Sequence, residues 1–133
     1  PFELKTEKAR AVLPAQYSRE DAVYNLSRSA LMTATLFSGK TENLRVAVQD
    51  RLHQPYRFGL IANLDQVFRL SYELGSLGTY VSGAGPTIIA MLDAADTENF
   101  KKYAVSHLEE KGIKGWRVEI QKANSNGAQI VLD

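Results

Sequence analysis

Two arginines and a glycine-rich turn are the residues of this sequence best suited to bind an anion. Arg10 and Arg57 each lie at the edge of a predicted helical turn near a proline, where a guanidinium can form a bidentate pair with a carboxylate or phosphate. The turn 82–87 interrupts an apolar run, and the N–H groups of such a turn can also hold an anion. A single arginine is more often a solvated surface residue, and a GxGP turn is more often structural. These residues alone therefore do not show whether the chain binds an anion.

The glycine turn matches neither of the common phosphate-binding motifs. Gly83 and Gly85 fit the first two glycines of GxGxxG, but Ile88 occupies the third position and a strand follows instead of a helix. No GxxxxGK followed by Ser or Thr occurs in the chain. The two histidines, His53 and His107, lack the spacing of paired metal ligands, so we expect no metal site.

Composition narrows the class of protein. The chain has 133 residues, 44% of them hydrophobic, which suits one domain. A net charge of +1, from 16 Lys and Arg against 15 Asp and Glu, gives no case for binding nucleic acid or an acidic membrane surface. The absence of cysteine excludes disulfides and is compatible with a reducing cytoplasm, where we expect the protein. Because the chain opens at Pro1 without Met, we also expect it to be part of a longer protein.

Hydrophobic spacing predicts the elements that carry the candidate residues. Residues 2–5 alternate as in a short strand. Thr6 then either caps a helical turn over 7–10 or points its hydroxyl towards a ligand, and the local sequence does not separate the two. Ser18 predicts the N-cap of a long helix that ends at Gly39. We expect one stripe of this helix to face the core: Ala22, Val23, Leu26, Ala30, Ala34 and Phe37.

The rest of the chain alternates helices with strands. The patterns predict helices from 41 or 42 to before Pro55, from 63 to Gly75, and from 97 to Gly112. They predict strands at 79–81, 88–92, 116–121 and 128–132. This order indicates an α+β fold, a ferredoxin-like two-layer sandwich with helices packed on one face of a mainly antiparallel sheet.

Three separated segments carry a resemblance to a known family. Residues 2–14 (FELKTEKARAVLP), 51–57 (RLHQPYR) and 82–87 (SGAGPT) closely resemble the C-terminal half of bacterial homoserine kinases, a family within the GHMP kinases. The resemblance covers essentially the whole chain in the same order. The first two segments are specific to the family, whereas the superfamily shares the glycine motif.

The resemblance implies transfer of the γ-phosphoryl group of ATP, with Mg2+, to the hydroxyl of L-homoserine in threonine biosynthesis. By the same resemblance, Arg10 and Arg57 bind the substrate, through the carboxylate that suits their guanidinium groups. Thr6 matches a threonine near the reacting centre. Gly83, Ala84 and Gly85 match a turn at the floor of the active site, and we expect replacement of Gly85 by valine to damage catalysis more than folding.

The departures from the family pattern limit this expectation. The PxxxGLGSS-type ATP loop that such kinases carry in their N-terminal domain does not occur in this sequence, so we expect the chain alone to lack kinase activity. An interface to that missing domain would expose apolar surface, which leaves a homodimer open. Two alternatives also stay open: a stand-alone regulatory module that binds an amino acid, and another GHMP kinase acting on a sugar or an isoprenoid precursor.

Overall fold

The computed structural model describes residues 3–124, 126–127 and 130. These residues form six α-helices and one hairpin of two strands, joined by turns and short 3-10 helices. The helices are α1 (Thr6–Ala11), α2 (Arg19–Ser38), α3 (Leu44–Ala47), α4 (Gln54–Arg57), α5 (Leu64–Glu73) and α6 (Thr97–Glu110), and the strands are β1 (Gly78–Val81) and β2 (Ile88–Met91). None of the helices in this part of the chain is long and apolar enough to cross a membrane.

The ends of α2 follow from its capping residues. The Ser18 hydroxyl accepts a hydrogen bond from the backbone N–H of Asp21 at 3.0 Å, which satisfies one of the free donors of the first turn. At the other end Gly39 adopts a φ of 70°, and its N–H donates to the carbonyl of Thr35. The predicted start and stop of this helix are both confirmed.

The glycine turn connects the two strands of the hairpin. β1 and β2 pair antiparallel, with Val81 opposite Ile88 and Gly78 opposite Met91, so residues 82–87 form the loop between them. Helices and an antiparallel sheet in one chain confirm the α+β class.

Two predicted strands are not formed among the described residues. Residues 3–5 and 116–120 have no strand partner in this part of the chain, although Trp116 and Val118 pack on the core. An alternating pattern reports one buried face, and it does not require a neighbouring strand to pair with. The predicted strand at 128–132 falls on residues of which the structure describes only Ile130.

The core has two buried clusters. Ile61, Leu64 and Val81 form the first, beneath the glycine turn. Leu70, Leu108 and Ile113 form the second, between α5 and the end of α6. Partly buried apolar side chains connect the two clusters, with Trp116 contacting both. Apolar residues of α5 and α6 therefore face the core, with Leu64 and Leu70 buried on α5 and Ala104 and Leu108 buried on α6.

The predicted inner stripe of α2 is wrong. Val23, Leu26 and Phe37 are 57%, 70% and 90% exposed, and Ala30 and Ala34 of the same stripe are exposed as well. The helix instead turns its other side inward, where Thr35 is buried and Tyr24 and Met32 are half-buried. Helical spacing identifies an apolar face, but it cannot say whether this chain or another surface covers that face.

Candidate functional site

Arg57 joins the three segments that the sequence singled out. It ends α4 and is only 8% exposed. Its Nε donates to the carbonyl of Ala9 in α1 at 3.2 Å, and one terminal nitrogen donates to the carbonyl of Gly83 at 2.6 Å. Donors on a rigid planar guanidinium fix the angle between the groups they bind, so Arg57 connects both α1 and the glycine turn to α4.

His53 lies beside this arginine, one helical turn earlier. Its Nδ1 lies 3.2 Å from the same terminal nitrogen of Arg57. Since an arginine only donates, Nδ1 is the acceptor and the proton of the neutral ring is on Nε2. Burial lowers the pKa of His53, the charge of Arg57 lowers it further, and the nearby carboxylate of Asp50 opposes the change. The imidazole is therefore neutral near pH 7.

Asp50 fixes the start of α4. Its side chain is 6% exposed and accepts hydrogen bonds from the backbone N–H groups of Leu52, His53 and Gln54, and from the Asn25 amide. Burial alone would raise the pKa of Asp50, but these hydrogen bonds outweigh it and the pKa is lowered. The ionised carboxylate acts as an N-terminal cap that orients His53 and Arg57.

Gln54 connects α4 to the sheet. Its amide nitrogen donates to the carbonyl of Val48 at 3.1 Å, and its amide oxygen accepts from the N–H of Val81 at 2.8 Å. Sequence reasoning singled out neither Asp50 nor Gln54. The available signal for Asp50 was an acidic residue just before a short Pro-containing helix, which is a capping pattern.

The two glycines of the turn have different surroundings. Gly83 has a φ of 56°, and a methyl group built on it would meet no atom within 4 Å. Gly85 has a φ of 81°, and a Cβ there would lie 2.9 Å from Cδ1 of Ile61 and 3.2 Å from Cγ1 of Val81. The positive φ favours glycine at both positions, but only at Gly85 do core side chains also leave no space for a Cβ.

The exposed edge of the turn offers backbone donors. Within the described residues, the N–H groups of Gly83 and Ala84 make no hydrogen bond to the protein. Gly83 is exposed and Ala84 half-exposed, so both amides lie near solvent beside the guanidinium of Arg57. Adjacent free amides next to a buried cation form an electropositive surface, which suits a carboxylate or phosphate.

Thr6 and Arg10 lie one helical turn apart on α1. Both are exposed, and among the described residues neither side chain makes a hydrogen bond or an ion pair. Thr6 is the first residue of the helix, and the N-cap is Lys5, which provides no side-chain cap. The capping alternative for Thr6 is therefore wrong, and its hydroxyl is open to solvent. Arg10 follows directly on Ala9, whose carbonyl is bound by Arg57.

A surface cavity of about 310 Å³ has His53 in its lining. Its lining comes from the inner side of α2, the segment 47–50, the start of α4 and Tyr80 of β1. The guanidinium of Arg28 stacks on the ring of Tyr24 at 4.2 Å and lines this cavity. It is the only cation among the lining residues apart from what protonation of His53 would add.

The described residues do not provide a site for Mg2+. No three His, Asp or Glu side chains in this part of the chain are grouped so as to hold a metal ion. The buried carboxylate of Asp50 already accepts four hydrogen bonds from the protein. Its donor set suits a helix cap, whereas Mg2+ needs open carboxylate oxygens.

Comparisons with known proteins give one consistent family. A model described as the C-terminal domain of GHMP kinases matches residues 32–110. Homoserine kinases from Clostridium botulinum (strain Alaska E43) and Clostridium beijerinckii are 46% and 47% identical to the chain over 130 residues. Each alignment covers 98% of this chain but 43% of the relative, so the chain spans less than half the length of these curated relatives.

A solved structure supports the same assignment. The fold is similar to a crystal structure of homoserine kinase from Cytophaga hutchinsonii, with a TM-score of 0.75 and 26% sequence identity. The match covers 83% of this chain and 35% of that one. The family match over more than half of the chain, together with this similarity of fold, shows that the chain belongs to the GHMP kinase C-terminal family.

Proposed function

We propose that this chain is the substrate-binding part of a homoserine kinase, which transfers the γ-phosphoryl group of ATP to the side-chain hydroxyl of L-homoserine and produces O-phosphohomoserine. The observation that carries the proposal is the position of Arg57, whose guanidinium binds both Ala9 beside Arg10 and Gly83 of the turn. The three segments that resemble the family in sequence are thereby neighbours in space.

The substrate carboxylate binds between the two arginines in this proposal. Arg57 uses Nε and one terminal nitrogen for the protein, so its second terminal nitrogen keeps its donors. Arg10 is exposed on the adjacent helix and supplies a complete guanidinium. Two cations beside the free amides of Gly83 and Ala84 favour a carboxylate and fix the orientation of the amino acid. Gly85 forms the base of this turn.

The hydroxyl of Thr6 lies one helical turn before Arg10 on the same face of α1. In the proposal it contacts the reacting end of homoserine, while the arginines hold the carboxylate end. It acts by positioning, since a threonine hydroxyl is not a base near neutral pH.

ATP and Mg2+ bind elsewhere in the proposed enzyme. The described residues fit neither a metal ion nor a phosphate loop, and the relatives are more than twice as long as the chain. We assign both to a domain equivalent to the uncovered part of the relatives, and we expect the chain alone to be inactive. A cytoplasmic location, a role in threonine biosynthesis and a homodimer are further parts of the proposal.

A chimeric enzyme tests the proposal directly. This chain would replace the matching 43% of the Clostridium botulinum relative, and homoserine-dependent ADP formation would be measured. We expect activity in the chimera, none in the isolated chain, and a large rise in KM for homoserine in the Arg10→Lys chimera, since lysine cannot form the bidentate pair. A folded chimera that phosphorylates a sugar or an isoprenoid alcohol but not homoserine would identify another GHMP kinase.

The cavity beside Arg28 supports a second candidate, a module that binds an amino acid without catalysis. Its volume of about 310 Å³ and its lining, which includes the guanidinium of Arg28 and the carboxylate of Asp50, are compatible with a small amino acid that carries both charges. Calorimetry of the isolated chain with homoserine and with threonine separates the two functions. Useful affinity for either amino acid, lost in an Arg28→Gln variant, would favour the binding module. An absence of binding would favour the kinase proposal.

A further inference from the structure

The fold uses three of the five N–H donors of the Arg57 guanidinium. Nε donates to the carbonyl of Ala9 at 3.2 Å. The terminal nitrogen Nη1 has two acceptors, the carbonyl of Gly83 at 2.6 Å and Nδ1 of His53 at 3.2 Å. Among the described residues, the other terminal nitrogen, Nη2, has no hydrogen-bond partner. Arg57 therefore contacts a ligand through Nη2 alone.

These contacts exclude a bidentate pair between Arg57 and a carboxylate. A guanidinium forms two parallel hydrogen bonds only when two adjacent nitrogens each keep a free N–H. The carbonyl of Ala9 occupies Nε, and the acceptors from Gly83 and His53 occupy Nη1, so Nη2 has no adjacent nitrogen that is free. Arg10 is exposed and keeps a complete guanidinium. The bidentate contact therefore belongs to Arg10, and Arg57 adds a single directed contact.

His53 provides the one side-chain acceptor among these three partners of Arg57. The backbone supplies the other two, and a carbonyl is present whatever residue stands at positions 9 and 83. On its other edge the imidazole faces Asp50, whose Oδ1 lies 3.7 Å from Nε2. This buried carboxylate favours the proton on Nε2 and leaves the lone pair of Nδ1 for Arg57. The side chain at position 53 thus decides whether Nη1 has its second acceptor.

We propose that His53 is a positioning residue for substrate binding: its Nδ1 holds Nη1 of Arg57 and thereby directs Nη2 towards the carboxylate of the amino-acid substrate. This role rests on the kinase function proposed above. A guanidinium held by three bonds is already ordered when the substrate arrives, whereas one held by two loses rotational freedom at that moment. Because the carboxylate is remote from the hydroxyl that reacts, loss of His53 should weaken substrate binding more than it slows the chemical step.

Steady-state kinetics of the chimera with the Clostridium botulinum relative test this role. His53→Leu keeps a side chain of similar size but removes the acceptor, and we expect the KM for homoserine to rise about tenfold while kcat stays within about twofold. A substitution that only damaged the fold would reduce the active fraction, which lowers kcat and leaves KM unchanged. An unchanged or lower KM in His53→Leu would overturn the proposal.

A conservative variant and a matched control separate the acceptor from other effects of the substitution. In His53→Asn the amide oxygen is as many bonds from the backbone as Nδ1 is, so it can accept from Nη1, and we expect KM to return close to the wild-type value. His107→Leu makes the same change at the other histidine of the chain, on α6, and should alter neither KM nor kcat. A KM in His53→Asn as high as in His53→Leu would contradict a role for the acceptor.

Hydrogen exchange at Nε of Arg57 tests the contact in the 133-residue chain without any kinase activity. This N–H is bound to Ala9 in a residue that is 8% exposed, so it should exchange slowly. Nitrogen NMR measures the rate, and the signal is assigned by its loss in Arg57→Lys. We expect exchange to be at least about tenfold faster in His53→Leu and close to the wild-type rate in His53→Asn.

The two measurements distinguish failure of the positioning role from failure of the kinase function. If the wild-type chimera does not phosphorylate homoserine, the kinase function is wrong, and the exchange rate still shows whether His53 holds Arg57. If the chimera is active but His53→Leu changes neither the KM nor the exchange rate, the kinase function stands and the positioning role is wrong.

Discussion

The surroundings of Arg57 and the outer face of α2, which exposes Leu26 and Phe37, differ in which groups are buried and which are exposed. Around Arg57, polar groups are buried and each is bound: the guanidinium by two carbonyls and an imidazole, Asp50 by four donors, Gln54 by two backbone groups. On α2, large apolar groups are in solvent without a partner from the described residues. In the first region hydrogen bonds within the chain hold the buried polar groups, whereas in the second no described residue covers the apolar groups.

This difference separates two kinds of constraint on a sequence. Buried polar groups cost free energy unless they are hydrogen-bonded, so the Arg57 region must be satisfied by the fold itself. An exposed apolar face costs little in the folded chain and gains free energy only on association. Substitutions in the first region should therefore change the free energy of unfolding, and substitutions in the second should change assembly.

Gly85 gives the largest expected effect on folding. Valine there would place its Cβ within 2.9 Å of Ile61 and would adopt a φ of 81°, which is strained for a β-branched residue. Overpacking and backbone strain together should reduce the free energy of unfolding by about 3 to 5 kcal/mol, as measured by urea denaturation. This reverses the expectation from sequence that catalysis would suffer more than folding.

Gly83→Ala is the control for this prediction. Its methyl group meets no atom within 4 Å, so only the cost of a positive φ remains, about 1 kcal/mol. If Gly85→Val unfolds at the same urea concentration as the wild type, the packing under the turn does not limit stability. The turn would then be a purely functional element.

Arg57 should give the next largest effect. Arg57→Ala leaves the carbonyls of Ala9 and Gly83 without a donor, and we expect a loss of about 2 to 4 kcal/mol in the free energy of unfolding. Arg10→Ala removes a guanidinium of the same charge from an exposed position and should change stability by less than about 0.5 kcal/mol. Urea denaturation of both variants measures the difference. Equal stabilities would contradict the bridging role of Arg57.

The sequence predicts the elements of this fold better than their surroundings. The ends of α2 were predictable because Ser18 and Gly39 act locally, through one hydrogen bond and one backbone conformation. The orientation of α2 was not, because both of its sides carry apolar residues and only tertiary packing selects one.

In the candidate site, too, residue types were predictable from sequence whereas their contacts were not. Arg10, Arg57 and the glycine turn were identified by residue type and by resemblance to a family, but their contacts span up to 48 residues of sequence and depend on the fold. Gln54 was missed because it binds backbone groups, which leave no pattern in the side chains. Asp50 was missed although its position before a short Pro-containing helix fits a capping pattern. Among the described residues, the two predicted strands that do not form, at 2–5 and 116–121, were predicted because alternation was interpreted as pairing.

The pH dependence of the free energy of unfolding tests the electrostatics around Arg57, with a smaller expected change than the substitutions above. Since the pKa of His53 is lowered in the folded state, the unfolded chain binds this proton more tightly. The contribution of His53 is therefore complete above its ordinary pKa, about 6.5, and is lost as the pH falls below that value. The lowered pKa of Asp50 adds a second loss only at much lower pH, as the pH falls through its folded pKa.

Urea denaturation on both sides of about pH 6.5 should show this decline in the wild type. His53→Gln removes the titrating group and should flatten the slope in this range. His107→Gln changes the other histidine of the chain, on α6, and serves as the matched control that keeps the slope. A slope that persists in His53→Gln would show that the proton uptake occurs elsewhere.

The smallest effect on folding is expected at Leu26. Leu26→Gln replaces a side chain that is 70% exposed, and when the chain is dilute enough to be monomeric the free energy of unfolding should change by less than about 0.5 kcal/mol. At high protein concentration the wild type should gain stability from association, whereas the variant should gain much less, because mass action stabilises only the species that binds. Urea midpoints measured over a range of protein concentration separate the two regimes. A loss of several kcal/mol in the dilute variant would mean that the α2 face is held within the chain, and the contrast with the Arg57 region would then disappear.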